Sequence, residues 1–165
     1  MKKLLTLILA AVLLVILPTG ATALDAEATR QTVGVDGTPV DFSMYTVYDT
    51  NGFATNYVKL RDVAWALRDT RGHFGVTYDG STRVDTGWGY DPDGTEMAGL
   101  ATGSTAQPCK AVITVNGKGH PLDAYLITPP GTNAGNFYFK LRDLGQAIGF
   151  GVYWSAERGV YIETW

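Results

Sequence analysis

The chain states one pattern twice, and this limits its fold more than any other feature. First come Val35-Asp36-Gly37, Tyr45, Tyr57-Val58-Lys59-Leu60-Arg61-Asp62-Val63 and Phe74-Gly75-Val76-Thr77-Tyr78. Val115-Asn116-Gly117, Tyr125, Tyr138-Phe139-Lys140-Leu141-Arg142-Asp143-Leu144 and Phe150-Gly151-Val152-Tyr153-Trp154 follow in the same order. An internal repeat marks one supersecondary unit made twice. A residue present in both copies first serves the shared fold. A residue in one copy alone is the better candidate for a particular task. The offset is 80 residues at Val35/Val115, 81 at Lys59/Lys140 and 76 at Phe74/Phe150. The first repeat therefore carries an insert after its helix, within residues 68–73.

Each repeat reads as strands around one helix. Asp36-Gly37 and Asn116-Gly117 are hairpin turn signals between alternating stretches. Leu60, Val63, Ala64 and Leu67 fall at i, i+3, i+4 and i+7, the apolar stripe of a helix. Leu141 to Ile148 is its counterpart. Phe74, Val76 and Tyr78 alternate as a strand, as do Phe150, Val152 and Trp154, and this spacing assigns their aromatics to the core. The expected fold is α+β: two tandem units, each an antiparallel sheet of about five strands packed on one helix. Their bounds are 30–86 and 109–165, with a Gly-, Thr- and Asp-rich linker or strap over 87–108. Units this small are marginal alone, so the two are expected to pack together.

Residues 1–23 read as a secretory signal peptide. Met1-Lys2-Lys3 is basic, Leu4 to Leu17 is apolar apart from Thr6, and Ala21-Thr22-Ala23 is a cleavage signal. No second apolar run follows, so no integral span is expected after cleavage. Without Lys2 and Lys3 the chain holds 11 Lys+Arg against 16 Asp+Glu, a net charge near −5. That balance argues against nucleic acid or an anionic membrane as partner. Cys109 is the only cysteine, which rules out a disulfide within the chain.

Val115-Asn116-Gly117-Lys118, Leu122-Asp123-Ala124-Tyr125 and Tyr138 to Leu144, followed by Phe150 and Trp154, carry a resemblance. They are similar to the N-terminal domain of copper amine oxidases, in the form found as tandem stalk domains on exported bacterial proteins. The first repeat resembles a divergent member with the same Lys-Leu-Arg-Asp core. The resemblance implies a five-stranded antiparallel sheet wrapped around one helix. It also implies a secreted or cell-surface accessory of a Gram-positive bacterium, often found with wall hydrolases, rather than a catalytic domain. The oxidase reaction needs three histidines on copper and a tyrosine-derived quinone in a separate domain. Here there are two histidines, His73 and His120, and the sequence stops at Trp165, just past the last expected strand. Neither that reaction nor any cofactor is expected.

The remaining candidates follow from the repeat. Lys59-Leu60-Arg61-Asp62 recurs as Lys140-Leu141-Arg142-Asp143, which favours a fold role, with each Asp answering free N–H groups at a helix start. His73 and His120 occupy unrelated places and lack metal-ligand spacing. Asp91-Pro92-Asp93-Gly94-Thr95-Glu96 reads as a turn with solvated carboxylates. Trp65 lies about 140° around the helix from Leu60, and its counterpart is Gln146. Trp88 and Tyr90 have no counterpart. These three aromatics are the candidate ligand contacts; the alternative is that they join the repeats to the strap. The expected function is a non-catalytic surface module that binds cell-wall polymer or another surface protein. A structural spacer without a ligand, and a small wall hydrolase, are the alternatives.

Overall fold

The computed structural model describes residues 22–165, so the segment expected to be a signal peptide lies outside the described residues apart from its last two positions. The order of elements is duplicated. The first repeat gives β1 (Leu24–Val35), β2 (Thr38–Tyr48), β3 (Ala54–Lys59), α1 (Leu60–Leu67), β4 (Gly75–Tyr78) and β5 (Thr82–Asp85). The second gives β6 (Ser104–Val115), β7 (Lys118–Thr128), β8 (Asn136–Lys140), α2 (Leu141–Ile148), β9 (Gly151–Ser155) and β10 (Gly159–Glu163).

The expected α+β arrangement, with two units each packed on its own helix, is not what these elements build. All ten strands belong to one mixed sheet, in the order β4-β5-β6-β7-β8-β3-β2-β1-β10-β9. The repeats exchange their last hairpins. In the first, β5 runs parallel to β6, with Val84 opposite Val115. In the second, β10 runs parallel to β1, with Ile162 opposite Val35. The repeats also meet at the centre, where Val58 on β3 faces Phe139 on β8. The physical reason is edge pairing. Strands of four or five residues need a neighbour on which to close, and each short hairpin finds it on the other repeat.

A paired latch holds each exchanged hairpin. The Asp36 N–H donates to the Ile162 carbonyl at 3.0 Å, and the Asn116 N–H to the Val84 carbonyl at 2.9 Å. The Asp36 carboxylate accepts the N–H of Thr164 at 2.8 Å and its hydroxyl at 2.6 Å. The Asn116 side chain accepts the Thr86 N–H at 3.0 Å and donates to its hydroxyl at 2.9 Å. Asp36 and Asn116 reach these partners from the left-handed region, φ 46° and 47°, as a two-residue hairpin turn requires.

Strand alternation separates two cores. One face carries Val33, Phe42, Val58, Ile113, Phe139 and Ile162 beneath both helices. On the other face Ala26, Tyr45, Val47, Tyr57, Ala106, Ile127 and Tyr138 form a second cluster. That face is inside a ring, because β1 and β6 also pair through Leu24–Ala26 and Ser104–Ala106. Its tyrosines meet edge to face across the repeats, Tyr45 with Tyr138 at 5.1 Å and Tyr57 with Tyr125 at 4.9 Å. Phe74 and Phe150 are buried as expected, but Tyr78 and Trp154 are 77% and 67% exposed. They sit on β4 and β9, the outermost strands, where no neighbour covers them. Among the described residues no helix is long and apolar enough to cross a membrane.

Candidate functional site

The three candidate aromatics do not form one cluster. Trp88 is 75% exposed and stands by itself beyond β5. Tyr90 is 8% exposed and turned inward. Its hydroxyl donates to Glu96, and the Arg61 guanidinium lies 5.3 Å from its ring centre. Tyr90 therefore fastens the strap. Trp65 is half-buried against the helix-side core, with the Arg68 guanidinium 4.1 Å above its ring.

The strap, residues 87–103, is bound along the start of α1. Lys59 Nζ donates to the carbonyls of Thr95 at 3.2 Å and Ala98 at 3.0 Å. Arg61 pairs with Asp93 at 2.8 Å and lies 3.6 Å from Glu96. The Met97 N–H donates to Asp62 at 2.9 Å, and its carbonyl accepts the Ser43 hydroxyl at 2.6 Å. The Tyr45 hydroxyl accepts the Ala101 N–H at 2.8 Å and shares a hydrogen bond with Ser104 at 3.0 Å. Two sequence expectations change here. Asp62 does not cap its own helix; the helix begins after Lys59 with no side-chain cap, and Asp62 holds the strap instead. The Glu96 side chain is not solvated either, being 3% exposed. It accepts the N–H groups of Asp93 and Gly94 besides the Tyr90 hydroxyl.

The charges follow from these contacts. Burial raises the Asp62 carboxyl above its usual range, while the Met97 N–H and Lys59 act against it. Burial also works to raise Glu96, but the Tyr90 hydroxyl and the strap N–H groups outweigh it and hold the group down at about 2. Among the described residues, Asp62 Oδ2 and Arg61 Nε are buried without hydrogen-bond partners.

Beside the strap lies an open groove of about 970 Å³. One wall is β2 with its turn, through Asp36, Pro39, Val40 and Asp41. The other is α1 and the insert, through Trp65, Arg68, Asp69 and Arg71, and Met97 of the strap closes one side. Arg68 Nη1 donates to the Trp65 carbonyl at 2.7 Å, and its Nε pairs with Asp69 at 3.3 Å. Trp65, the insert and the strap residue belong to the first repeat or the strap alone, and the groove brings them together. The drop in offset from 81 to 76 was the sequence signal for its insert wall; Asp36 and Asp41 gave none.

The histidines stay apart in role. His73 Nδ1 lies 2.8 Å from the Thr70 carbonyl inside the insert, and His120 lies on β7 facing α2. Among the described residues no group of three His, Cys, Asp or Glu side chains is placed to hold a metal ion. Cys109 is half-buried on β6, its thiol 3.5 Å from the Ala124 carbonyl. No family model, curated protein or solved structure matches the chain.

Proposed function

We propose that this is an exported, non-catalytic surface module that binds cell-wall polymer in the groove beside Trp65. One observation carries the reading: features found outside the shared repeat pattern converge on one open concavity. Its chemistry suits a polymer with both sugar and peptide parts. Arg68 and Arg71 offer guanidinium groups to carboxylates. Asp36, Asp41 and Asp69 offer acceptors to hydroxyl or amino groups. Trp65, its ring partly covered by Arg68, supplies apolar surface on one wall. From the stalk-domain resemblance this reading keeps only the setting, an accessory at the cell surface.

The test is co-sedimentation of the chain from Leu24 onward with purified peptidoglycan. The parent is expected to pellet. Trp65→Ala and Arg71→Ala, each with an unchanged circular dichroism spectrum, are expected to stay in solution, and Trp88→Ala is expected to pellet like the parent. Pelleting of all four, or of none, overturns the groove as the polymer site.

A second reading, another surface protein as ligand, is favoured by the β9–β10 hairpin. Tyr153 and Tyr161 stack at 5.4 Å, and Arg158 lies 3.5 Å over the Tyr161 ring. Trp165 stands on the same side, so near Gly151 that a Cβ there would come within 2.8 Å of its ring. The first repeat has Thr77, Arg83 and Gly87 where Tyr153, Tyr161 and Trp165 stand. This aromatic row, exposed at Tyr153 and Trp165, therefore belongs to one repeat alone.

A further inference from the structure

We infer that the start of α2 is a docking site for an acidic, extended polypeptide segment supplied by a partner protein. The inference stands apart from the polymer groove and does not rest on it. The first repeat shows what its helix start does. Lys59, Arg61 and Asp62 grip a strap by its backbone and its acids: two carbonyls on Lys59, Asp93 and Glu96 on Arg61, one N–H on Asp62. The second repeat keeps all three side chains as Lys140, Arg142 and Asp143. Among the described residues there is one such strap, and the first repeat holds it.

The surroundings of the second site are open. Arg142 is exposed, and among the described residues neither it nor Lys140 has an ion pair. Met97 closes one side of the groove between β2 and α1, whereas the equivalent space between β7 and α2, a cavity of about 310 Å³, has no strap residue in its lining. Its lining includes Lys110, His120, Asp123, Asp143 and Gln146. Three of these answer contacts of the first site. Asp143 stands where Asp62 accepts the Met97 N–H. Asp123 stands where Ser43 donates to the Met97 carbonyl, and it is paired with Lys110, whose ammonium is the donor now available there. Gln146 and His120 replace Trp65 and Val40, so two apolar positions of the first lining are polar here, beside Pro121, Leu122 and Ala147.

These differences define the occupant. Arg142 and Lys140 call for acids placed as in Asp93 and Glu96. The backbone-reading residues call for an extended chain rather than a free anion. The polar replacements at Gln146 and His120 call for a polar residue at the place of Met97.

The probe is a synthetic peptide copying residues 91–98, and a second with Met97→Gln. Each is titrated into ¹⁵N-labelled chain from Leu24 onward, and amide shifts are followed. Saturable shifts are expected around Asp143, Gln146 and His120, with the Met97→Gln peptide binding more tightly. Arg142→Glu in the chain is expected to weaken binding about fivefold or more. Asp93→Asn with Glu96→Gln in the peptide is expected to do the same. Arg142 is exposed, so its variant is expected to keep the parent melting curve; Arg142→Gln serves if it does not. Absence of saturable shifts at millimolar peptide overturns the inference. So do shifts confined to the start of α1, which mark displacement of the resident strap, and equal binding of a scrambled peptide.

Discussion

Ile162→Ala tests the exchange of hairpins at its tightest point. Ile162 lies on β10 in the second repeat, yet it is opposite Val35 of β1 and is 0% exposed. It belongs to the same core as Val33, Phe42 and Val63 of the first repeat. The change removes three carbons, each contributing about 0.8 kcal/mol by transfer from water. The cavity left behind brings the expected loss to about 3–4 kcal/mol. For a chain of this size that is a fall in Tm of roughly 10 °C. Ile162→Val, which removes one carbon, is expected to lose about 1 kcal/mol. The assay is thermal unfolding by circular dichroism joined to native-state amide exchange. Because β10 completes the first repeat's edge, protection at Val58 and Val63 is expected to fall in step with protection at Phe139 and Leu144. If the second repeat loosens while Val58 and Val63 keep the parent's protection, the repeats fold independently and the exchange argument is wrong.

Two further outcomes follow from the strap. Tyr45→Phe removes the acceptor of the Ala101 N–H and the partner of Ser104; it is expected to lose about 1–2 kcal/mol and to speed limited proteolysis within residues 91–101, an unchanged cleavage rate being the contrary result. Glu96 has a folded pKa lowered from 4.5 to about 2, so its contribution is present above 4.5 and is lost as pH falls toward 2. Glu96→Gln is expected to remove that acid-dependent part of stability, read from melts between pH 2 and 5; a parallel fall in parent and variant speaks against it.

The local elements were legible because their causes are local. The turns at Asp36-Gly37 and Asn116-Gly117 are stated by two residues each, and both helices by their apolar spacing. The partner of each last hairpin was not legible. Val84 and Ile162 would alternate in the same way beside either repeat, since period 2 fixes a face and not a neighbour. Tyr78 and Trp154 misled for the same reason, because their exposure depends on β4 and β9 being outermost. At the groove, the insert was visible as a change in offset, and Trp65 as a residue without a counterpart. Trp88 and Tyr90 looked alike in sequence. They separate because Arg61 and Glu96 draw Tyr90 inward, and nothing near Trp88 does so.

The latch between Asp36 and Thr164 has a bearing on how the protein is made. The first of the described strands is finished by the last of them, with the latching residues Asp36 and Thr164 128 positions apart. During synthesis β1 waits with part of one edge unpaired until β10 has appeared. Contacts so distant along the chain make for slow folding. A fold that cannot seal until β10 has emerged leaves the β1 edge open to pairing with another chain throughout the synthesis of the intervening residues.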